Sequence, residues 1–421
     1  MKDSVKVILT GARNSKLSRA QTMGALDKLN HTLPILRFEF VPMSSPGDRD
    51  RETDLRLSDA DFFSRDLDEA VLNGTLNCAV HSAKDLPDIL PDGLDFFWLP
   101  WREDPRDVII TRTNETLPDK PIIGVSSQRR EEWSRGRYPK GILKPIRGNI
   151  DDRIRQLDAG GFDLLVLAAA GLHRLGLEKR ITEYISLKEL TPPPGQGYLA
   201  LTFKKGNRIF EKLRSLFIKP VIFAGAGIGE VENTTAGVID ALSRCDVCIF
   251  DALCQHDLLE NIPSGAIKID VGKRSGKHSP RQSEINQLLT DYCRQGKMVV
   301  RLKGGDPGIF GRLTEELDAL GEYKLPFRIM PGISSLNALT GAGIQITRRG
   351  SARGFTVSTP RKAGDGSVEW PDKIERDDFP QVIFMASKAP EKISSQMMRD
   401  GFASKMPVSV VYNAGCDNCQ V

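Results

Sequence analysis

The chain has 421 residues, 40% of them hydrophobic and 27% charged, with a formal net charge of +4. That length suggests roughly three domains, each able to bury its own core, and so small a charge argues against a dedicated nucleic-acid binder. The N-terminus lacks the apolar core of a secretion signal, and the longest apolar run, near Leu164 to Leu172, is too short to span a bilayer. Seven scattered cysteines fit a reducing compartment, so a cytoplasmic location is expected. Two CxxC pairs, Cys245/Cys248 and Cys416/Cys419, lie far apart, and no metal site is expected from them.

In chain order, "VKVILTGA" reads as a strand and "SKLSRAQTMGALDKLN" as an amphipathic helix with Leu17, Met23, Leu26 and Leu29 near one face. "LRFEFVPM" alternates like a strand. "DLDEAVLNGTLNCAVHSAKDLP" reads as a helix, a turn at Asn73-Gly74 and a buried strand. "PIIGVSS" and "GNIDDRIRQLDAGGFDLLVLAAAGLHRLGL" give strand, helix and strand again. "TPPPGQG", from Thr191 to Gly197, breaks regular structure as a linker or a fixed return loop. After Lys219 the pattern restarts. "PVIFAGAGIG" is a strand into a glycine loop, "VENTTAGVIDALSRC" a helix and "DVCIFDAL" a strand. "SPRQSEINQLLTDYCRQGK" has Ser279 as N-cap, Pro280 at the first helical position and Gly296 as its stop. "MVVRLKGGDPGIFGR" and "PFRIMPGISSLNALTGAG" repeat the scheme of strand into glycine loop. From about Arg353, "GFTVST", "QVIFMAS" and "PVSVVYN" read as strands. Strands alternating with helices predict an α/β fold throughout.

Charged groups of the first half fall at the ends of predicted strands, where open α/β sheets place ligands. Arg13 and Ser15 follow the first strand. Ser82, Lys84 and Asp85 follow "LNCAV". Ser126, Ser127, Arg129 and Arg130 follow "IIGV", and "IRGNIDDR" adds Arg147 and Arg153. Any one arginine is more often solvated and any one hydroxyl more often a helix cap. Four such clusters together predict a pocket for several carboxylates.

The motifs "HSAKDLP", "REDPRDV", "GVSSQRR", "IRGNIDDRIRQLDAGGFDLLVLAAAGLHRLGL" and "PGQG" resemble hydroxymethylbilane synthase, also called porphobilinogen deaminase, over about residues 5 to 205. The resemblance implies two periplasmic-binding-protein-like α/β domains within residues 1–215. It also implies polymerisation of porphobilinogen into a linear tetrapyrrole. It makes Asp85 the carboxylate that stabilises pyrrole-nitrogen charge, and Arg13, Lys84, Arg129, Arg130, Arg147 and Arg153 the holders of acetate and propionate groups. The chain departs from that family in two places. No third domain with a primer-bearing cysteine follows, so a covalent dipyrromethane is not expected. The family's glycine- and lysine-rich loop reads "RLSDADFF", Arg56 to Phe63. The first half is therefore expected not to elongate porphobilinogen alone. It is then a pyrrole-binding or docking module, or a deaminase completed by a partner chain.

In the second half "GAGIGE" misses the dinucleotide spacing GxGxxG. Its glycines, Gly225 and Gly227 among them, still let backbone approach a cofactor. In "RLKGGDPGIFGR", Gly304, Gly305 and Asp306 make a tight loop with one fixed carboxylate, suited to ribose hydroxyls or a cationic group, or to capping its own turn. These stretches, with "VGKRSGKHS", "QSEINQLL", "PFRIMPGISS", "GIQITRR" and "IFMA", resemble the tetrapyrrole methylase family, and within it uroporphyrinogen-III C-methyltransferase, from Val221 to about Ala414.

That resemblance implies a two-domain α/β methylase, over 219–350 and 351–421, with the last domain shortened. It implies S-adenosylmethionine as cofactor, a homodimer, and two methylations of uroporphyrinogen III to precorrin-2, on the way to sirohaem or cobalamin. By position Asp251 is the proton acceptor and Lys273 the donor. Ile228, Gly304, Gly305, Asp306, Ile309, Ser334, Ser335, Met385 and Ala414 line the cofactor site. A buried salt bridge is the other role open to Asp251, and a core position the other open to Met385. Lys273-Arg274 and Arg348-Arg349 offer partners for substrate carboxylates. Ala252, Ile228, Gly308 and Arg348 stand where the family has arginine, proline, a bulky residue and histidine. The whole chain is expected to be a methyltransferase fused to a deaminase-like region, acting on tetrapyrroles and on neither nucleic acid nor membrane.

Overall fold

The computed structural model describes residues 5–44, 64–87, 90–112, 116–272, 281–350, 352, 354–360, 379–386 and 390–421. Its contacts divide the chain into two compact units. One is Met1–Lys219 with Thr290–Lys297 and Gly321–Pro326, and the other is the remainder from Pro220. No described helix is long and apolar enough to cross a membrane.

The first unit holds two five-stranded mixed sheets. One contains β1 (Lys6–Arg13), β2 (Leu36–Met43), β3 (Cys78–Ser82), β4 (Leu94–Trp98) and β10 (Leu199–Lys204) in the order β2-β1-β3-β10-β4. The other contains β5 (Asp107–Thr111), β6 (Ile122–Val125), β7 (Ile142–Pro145), β8 (Leu164–Ala168) and β9 (Glu183–Tyr184) in the order β7-β6-β8-β5-β9. Each sheet has one strand antiparallel to both its neighbours. β5 pairs this way with β8 and β9, and β10 with β3 and β4. These are the strands laid down as the chain crosses from the first sheet to the second and then returns. The "TPPPGQG" stretch is thus the fixed return loop rather than a linker. Gly195 and Gly197 take φ of 75° and 90° there, and a Cβ on Gly197 would lie 2.3 Å from the Glu103 carbonyl oxygen.

β8 shows why its sequence is a continuous apolar run. Leu165 and Leu167 pack with Val108, Ile110 and Leu157 on one face, and Leu164 and Val166 pack with Ile109 and Ile123 on the other. A strand covered on both faces has no polar side to show. Helices α1 (Lys16–Thr32), α2 (Arg65–Leu72), α3 (Gln128–Arg137), α4 (Ile150–Asp158), α5 (Ala169–Arg174) and α6 (Arg208–Phe217) complete the unit. In α1 the buried face is Thr22, Ala25, Leu26 and Leu29. Met23, expected on that face, is 48% exposed, beside the buried Thr22. α4 is held at its start by a reciprocal capping box between Asn149 and Asp152.

The second unit holds an all-parallel sheet of β11 (Val221–Gly225), β12 (Val247–Phe250), β13 (Ile267–Asp270), β14 (Val299–Lys303) and β15 (Phe327–Met330), in the order β13-β12-β14-β11-β15. α7 (Ala236–Ser243), α8 (Gln282–Arg294) and α9 (Leu313–Glu322) link its strands, and α10 (Ser335–Gly341) follows β15. The helix expected over "VENTTAGVIDALSRC" begins only at Ala236, after a short turn at Val231–Asn233. Ser279 and Pro280 lie outside the described residues. Gly296, at φ 72°, ends α8 as expected. A small sheet of β16 (Thr356–Ser358) and β17 (Gln381–Ile383), and α11 (Pro390–Arg399), follow. The third strand expected there, "PVSVVYN", is a correction. Residues 407–411 are not in a strand, and Val408 and Val410 are 77% and 47% exposed. β-propensity needs a neighbouring ladder to act on, and among the described residues only an isolated bridge, Tyr412 to Gln420, forms.

Candidate functional site

In the first unit the loops after β3, β6 and β7 bring the expected cations together. Lys84 and Asp85 sit in a tight turn, Ala83–Asp85, directly after β3. Lys84 Nζ donates to Gln196 Oε1 at 3.2 Å. Gln196 Nε2 in turn donates to the Pro105 carbonyl at 2.7 Å and to Asp107 Oδ1 at 3.3 Å. This buried amide therefore ties a loop of the first sheet to the first residue of β5 in the second. Solvent reaches the Lys84 side chain, but the surrounding protein strips enough hydration to lower its pKa to about 8. Asp85 and Asp107 oppose the fall, and Arg130 and Arg153 add to it.

Arg129 and Arg130 were expected to hold substrate carboxylates, yet both are turned to Asp107. Arg129 Nη2 lies 2.5 Å from Asp107 Oδ2, and Arg130 Nη2 lies 2.8 Å from Oδ1. Burial alone would raise the Asp107 pKa, but Arg130 and Arg129 outweigh it and hold the carboxyl below its ordinary range. Arg130 and Arg153 also share Ser126 Oγ, at 3.4 and 3.0 Å. Burial, then Arg130 and Arg147, bring Arg153 down to about 10 against the pull of Asp85. Arg147 Nη1 is buried with no hydrogen-bond partner among the described residues. Among the described residues, Lys84, Arg130, Arg147 and Arg153 outnumber the acids beside them, Asp85 and Asp107, an excess of positive charge that an anion would relieve.

The remaining predicted residues of this unit are less direct. Ser15 Oγ caps α1 by accepting from Ser18 N at 3.2 Å. Ser127 stands at the N-cap of α3 without a side-chain cap bond. Ser82 Oγ accepts from Gln21 Nε2 at 3.1 Å. Gln21 also lines a cavity of about 200 Å³ with Lys28, Trp101, Arg102 and Arg174. Arg13 stands near His81, whose pKa burial and then Arg13 lower to about 4. Asp107, Gln196 and Arg174 escaped the sequence reading. Their signal was an acid inside "REDPRDV", opposite a double arginine, and a glutamine between two left-handed glycines.

In the second unit, glycines build the site. At the C-terminal ends of β11, β14 and β15, a Cβ on Gly225 would lie 2.5 Å from Gly332 Cα and 2.6 Å from the Gly305 oxygen. Gly227 and Gly305 exchange backbone bonds of 3.3 and 2.9 Å. Asp306 then pins this junction, with Oδ1 accepting from Gly308 N at 2.8 Å and Oδ2 from Gly332 N at 3.1 Å. Its carboxylate therefore shapes the loops. Gly304 lies against Leu253. Ile228 touches Gly415, the neighbour of Ala414, and the Gly415 oxygen accepts from Glu230 N at 3.2 Å. Ser334 is buried and starts α10 with a capping box to Asn337. Ser335 is exposed beside it.

Met385 is not a core residue. It lies in a turn after β17 at φ 59°, 42% exposed, and the neighbouring Phe384 ring packs 5.3 Å from that of Phe310, next to Ile309. Asp251 follows β12, and its Oδ1 accepts from Arg301 Nη2 at 2.7 Å. The expected proton donor, Lys273, and the neighbouring Arg274 lie outside the described residues, as does "RLSDADFF". The sequence reading missed Arg301, Lys303 and Glu316. Two cations inside the apolar strand "VVRLK" were the signal, because a buried charge needs a partner.

The family model described as "Porphobilinogen deaminase, dipyromethane cofactor binding domain" matches residues 8–212. The porphobilinogen deaminase of Paenibacillus macerans is 36% identical over 224 residues, 51% of this chain and 69% of that protein. The chain belongs to the porphobilinogen deaminase family. Its deaminase region is followed by a methylase region, since residues 220–421 match the model described as "Tetrapyrrole (Corrin/Porphyrin) Methylases". A siroheme synthase of Actinobacillus pleuropneumoniae (serotype 7, strain AP76) is 37% identical over 203 residues, 48% of this chain. The chain spans 42% of that protein's length. The native uroporphyrin III C-methyl transferase structure from Thermus thermophilus aligns with 48% of this chain and 86% of its own, at 31% identity and a TM-score of 0.42. The two regions place the chain in tetrapyrrole biosynthesis.

Proposed function

We propose that the second half transfers methyl groups to uroporphyrinogen III, giving precorrin-2, and that the first half holds pyrrole carboxylates without elongating porphobilinogen alone. The observation that carries the first part is the glycine junction of Gly225, Gly305 and Gly332 beside Asp251. Cβ atoms added at Gly225 and Gly332 would overlap the facing backbone, so the loops pack backbone against backbone at the C-terminal ends of parallel strands, where such sheets take ligands. This cradle fits S-adenosylmethionine, with Ile228, Gly304, Ile309, Ser334, Ser335, Met385 and Ala414 as further lining. When bound, that cofactor supplies an electrophilic methyl group. Asp251, at the rim of the same sheet, takes the proton that the methylated ring must lose. Lys273 is the matching donor by resemblance. Asp306 holds the loops against the cofactor's shape.

In the first half, Lys84, Arg147 and Arg153 grip acetate and propionate groups, while Asp85 steadies charge on the pyrrole nitrogen. Arg129 and Arg130 act partly through Asp107. The binding-only reading has its own support. Cys78, the cysteine of residues 1–219, is fully buried in β3, and burial pushes its thiol up to about 12, against the lowering effect of its hydrogen bond with Thr10. Such a thiol does not fit a covalent dipyrromethane anchor. The two sheets of this unit, each with one reversed strand, suit a hinged pair of the periplasmic-binding kind. A homodimer in the cytoplasm completes the reading. Anaerobic incubation of the chain with uroporphyrinogen III and S-adenosylmethionine tests it: mass gains of one or two methyl groups are expected, and no gain from folded protein would sink it. Formation of hydroxymethylbilane from porphobilinogen alone would sink the second part.

A further inference from the structure

Four charges close on one another behind the sheet rim of the second unit. Arg301 and Lys303 leave β14 on the same side, two residues apart, as the strand pleat requires. Glu316 of α9 receives both. Arg301 Nε lies 3.0 Å from its Oε1 and Lys303 Nζ 2.7 Å from its Oε2. The side chain of Glu316 is fully buried and those of its two partners are 3% exposed. The other side of the Arg301 guanidinium is also committed. Nη1 donates to the carbonyls of Ile249 and Leu302, at 3.4 and 3.2 Å, and Nη2 donates to Asp251 Oδ1 at 2.7 Å. The planar fork thus has no rotation left to it. Asp251 is the outermost member, with a side chain 31% exposed. Its Oδ2 accepts no hydrogen bond from any described residue. Two cations and two carboxylates balance, so the cluster has no charge left to offer a substrate carboxylate. What it does offer is one oriented oxygen.

We propose that Arg301, clamped by Glu316, is a positioning residue that fixes the Asp251 carboxylate, committing one oxygen and leaving the other to take the proton from the methylated ring. This rests on the reading of Asp251 as the proton acceptor. A group that acts only through Asp251 has no effect once Asp251 is disabled. A group that merely holds the fold weakens everything in the unit alike.

The test is a double-mutant cycle. Single-turnover methyl transfer from S-adenosylmethionine to uroporphyrinogen III is read by product mass for the intact chain, Asp251→Asn, Arg301→Lys and the double variant. S-adenosylhomocysteine affinity and thermal unfolding are measured on the same proteins. Arg301→Lys keeps the charge and loses the fork. It is expected to slow methyl transfer roughly 100-fold, as for a group about an ångström out of place, with S-adenosylhomocysteine affinity unchanged. In the Asp251→Asn background it should add nothing. A wild-type rate in Arg301→Lys, or losses that multiply in the double variant, overturns the proposal. A wild-type rate in Asp251→Asn instead overturns the proton-acceptor reading, and this proposal with it. Should Arg301→Lys fail to fold, Glu316→Gln serves in its place. It keeps an acceptor for Arg301 but releases the clamp, with roughly a tenfold slowing expected and again none beyond Asp251→Asn. An unchanged rate there overturns the proposal.

Discussion

The two halves solve opposite electrostatic problems with the same residue types. In the first unit, Lys84, Arg130, Arg147 and Arg153 outnumber Asp85 and Asp107, and Arg147 keeps a buried nitrogen without a partner among the described residues. In the second, Arg301 and Lys303 are matched by Glu316 and Asp251. An unbalanced cluster stores a demand for anions. A balanced one leaves no net charge for an anion and can only orient a member such as Asp251. Counting arginines in a sequence does not tell the two apart, because the difference lies in which acids reach them.

The comparison breaks most readily by removing one acid from each cluster. Glu316→Ala strands the nearly buried Lys303 and leaves Arg301 only Asp251 as an acid partner, and it is expected to destabilise the second unit by about 3–5 kcal/mol. Asp107→Ala is expected to cost the first unit less than this, since Arg129 remains 28% exposed and reaches water. Urea unfolding of each unit gives both values, and equal losses would contradict the ranking. Gly225→Ala places a Cβ 2.5 Å from Gly332. It should cost about 1–3 kcal/mol and remove S-adenosylhomocysteine binding while leaving porphobilinogen binding intact, as calorimetry on the full chain would show.

Two pH effects separate the halves further. The Asp107 carboxyl is held below its ordinary value by Arg130 and Arg129 against burial. Its contribution to stability is therefore present above the unfolded value of about 3.9 and is lost as pH falls through the folded one. Asp107→Asn should flatten the acid side of the first unit's stability curve. Lys84, brought to about 8 by burial, loses its charge as pH rises through that value. Porphobilinogen affinity should drop severalfold between pH 7 and 9, and Lys84→Arg should abolish the drop. The smallest effect belongs to Arg312–Glu315, a pair about half exposed on both sides. Severing it should change stability by less than about 1 kcal/mol, which sets the floor against which the buried clusters are read.

Much of this architecture was legible because local rules and global packing agree. "VIFAG" is apolar and ends in glycine, and it became β11 entering the glycine junction. "LLVLA" is apolar at every position, and it became a strand covered on both faces. Where they disagree, the sequence misleads. "PVSVVYN" has strand composition but no ladder to join. Met385 follows apolar residues and yet sits exposed at positive φ. The pairing of Arg129 and Arg130 with Asp107, and of Arg301 with Asp251 and Glu316, spans 15 to 50 residues. Charge alone in a sequence names no partner at such distance. The sequence placed the cations at the strand ends, while which of them are taken up by Asp107 needed the fold.

The most direct measurement is a pair of titrations on the intact chain, porphobilinogen and S-adenosylhomocysteine, each at low and at high salt. Exposed charge attraction is screened over about 10 Å at 0.1 M salt, whereas shape and backbone contacts are not. The account predicts that porphobilinogen affinity falls steeply with salt and that S-adenosylhomocysteine affinity barely changes. Porphobilinogen binding that ignores salt, or a cofactor analogue that fails to bind at all, would contradict it.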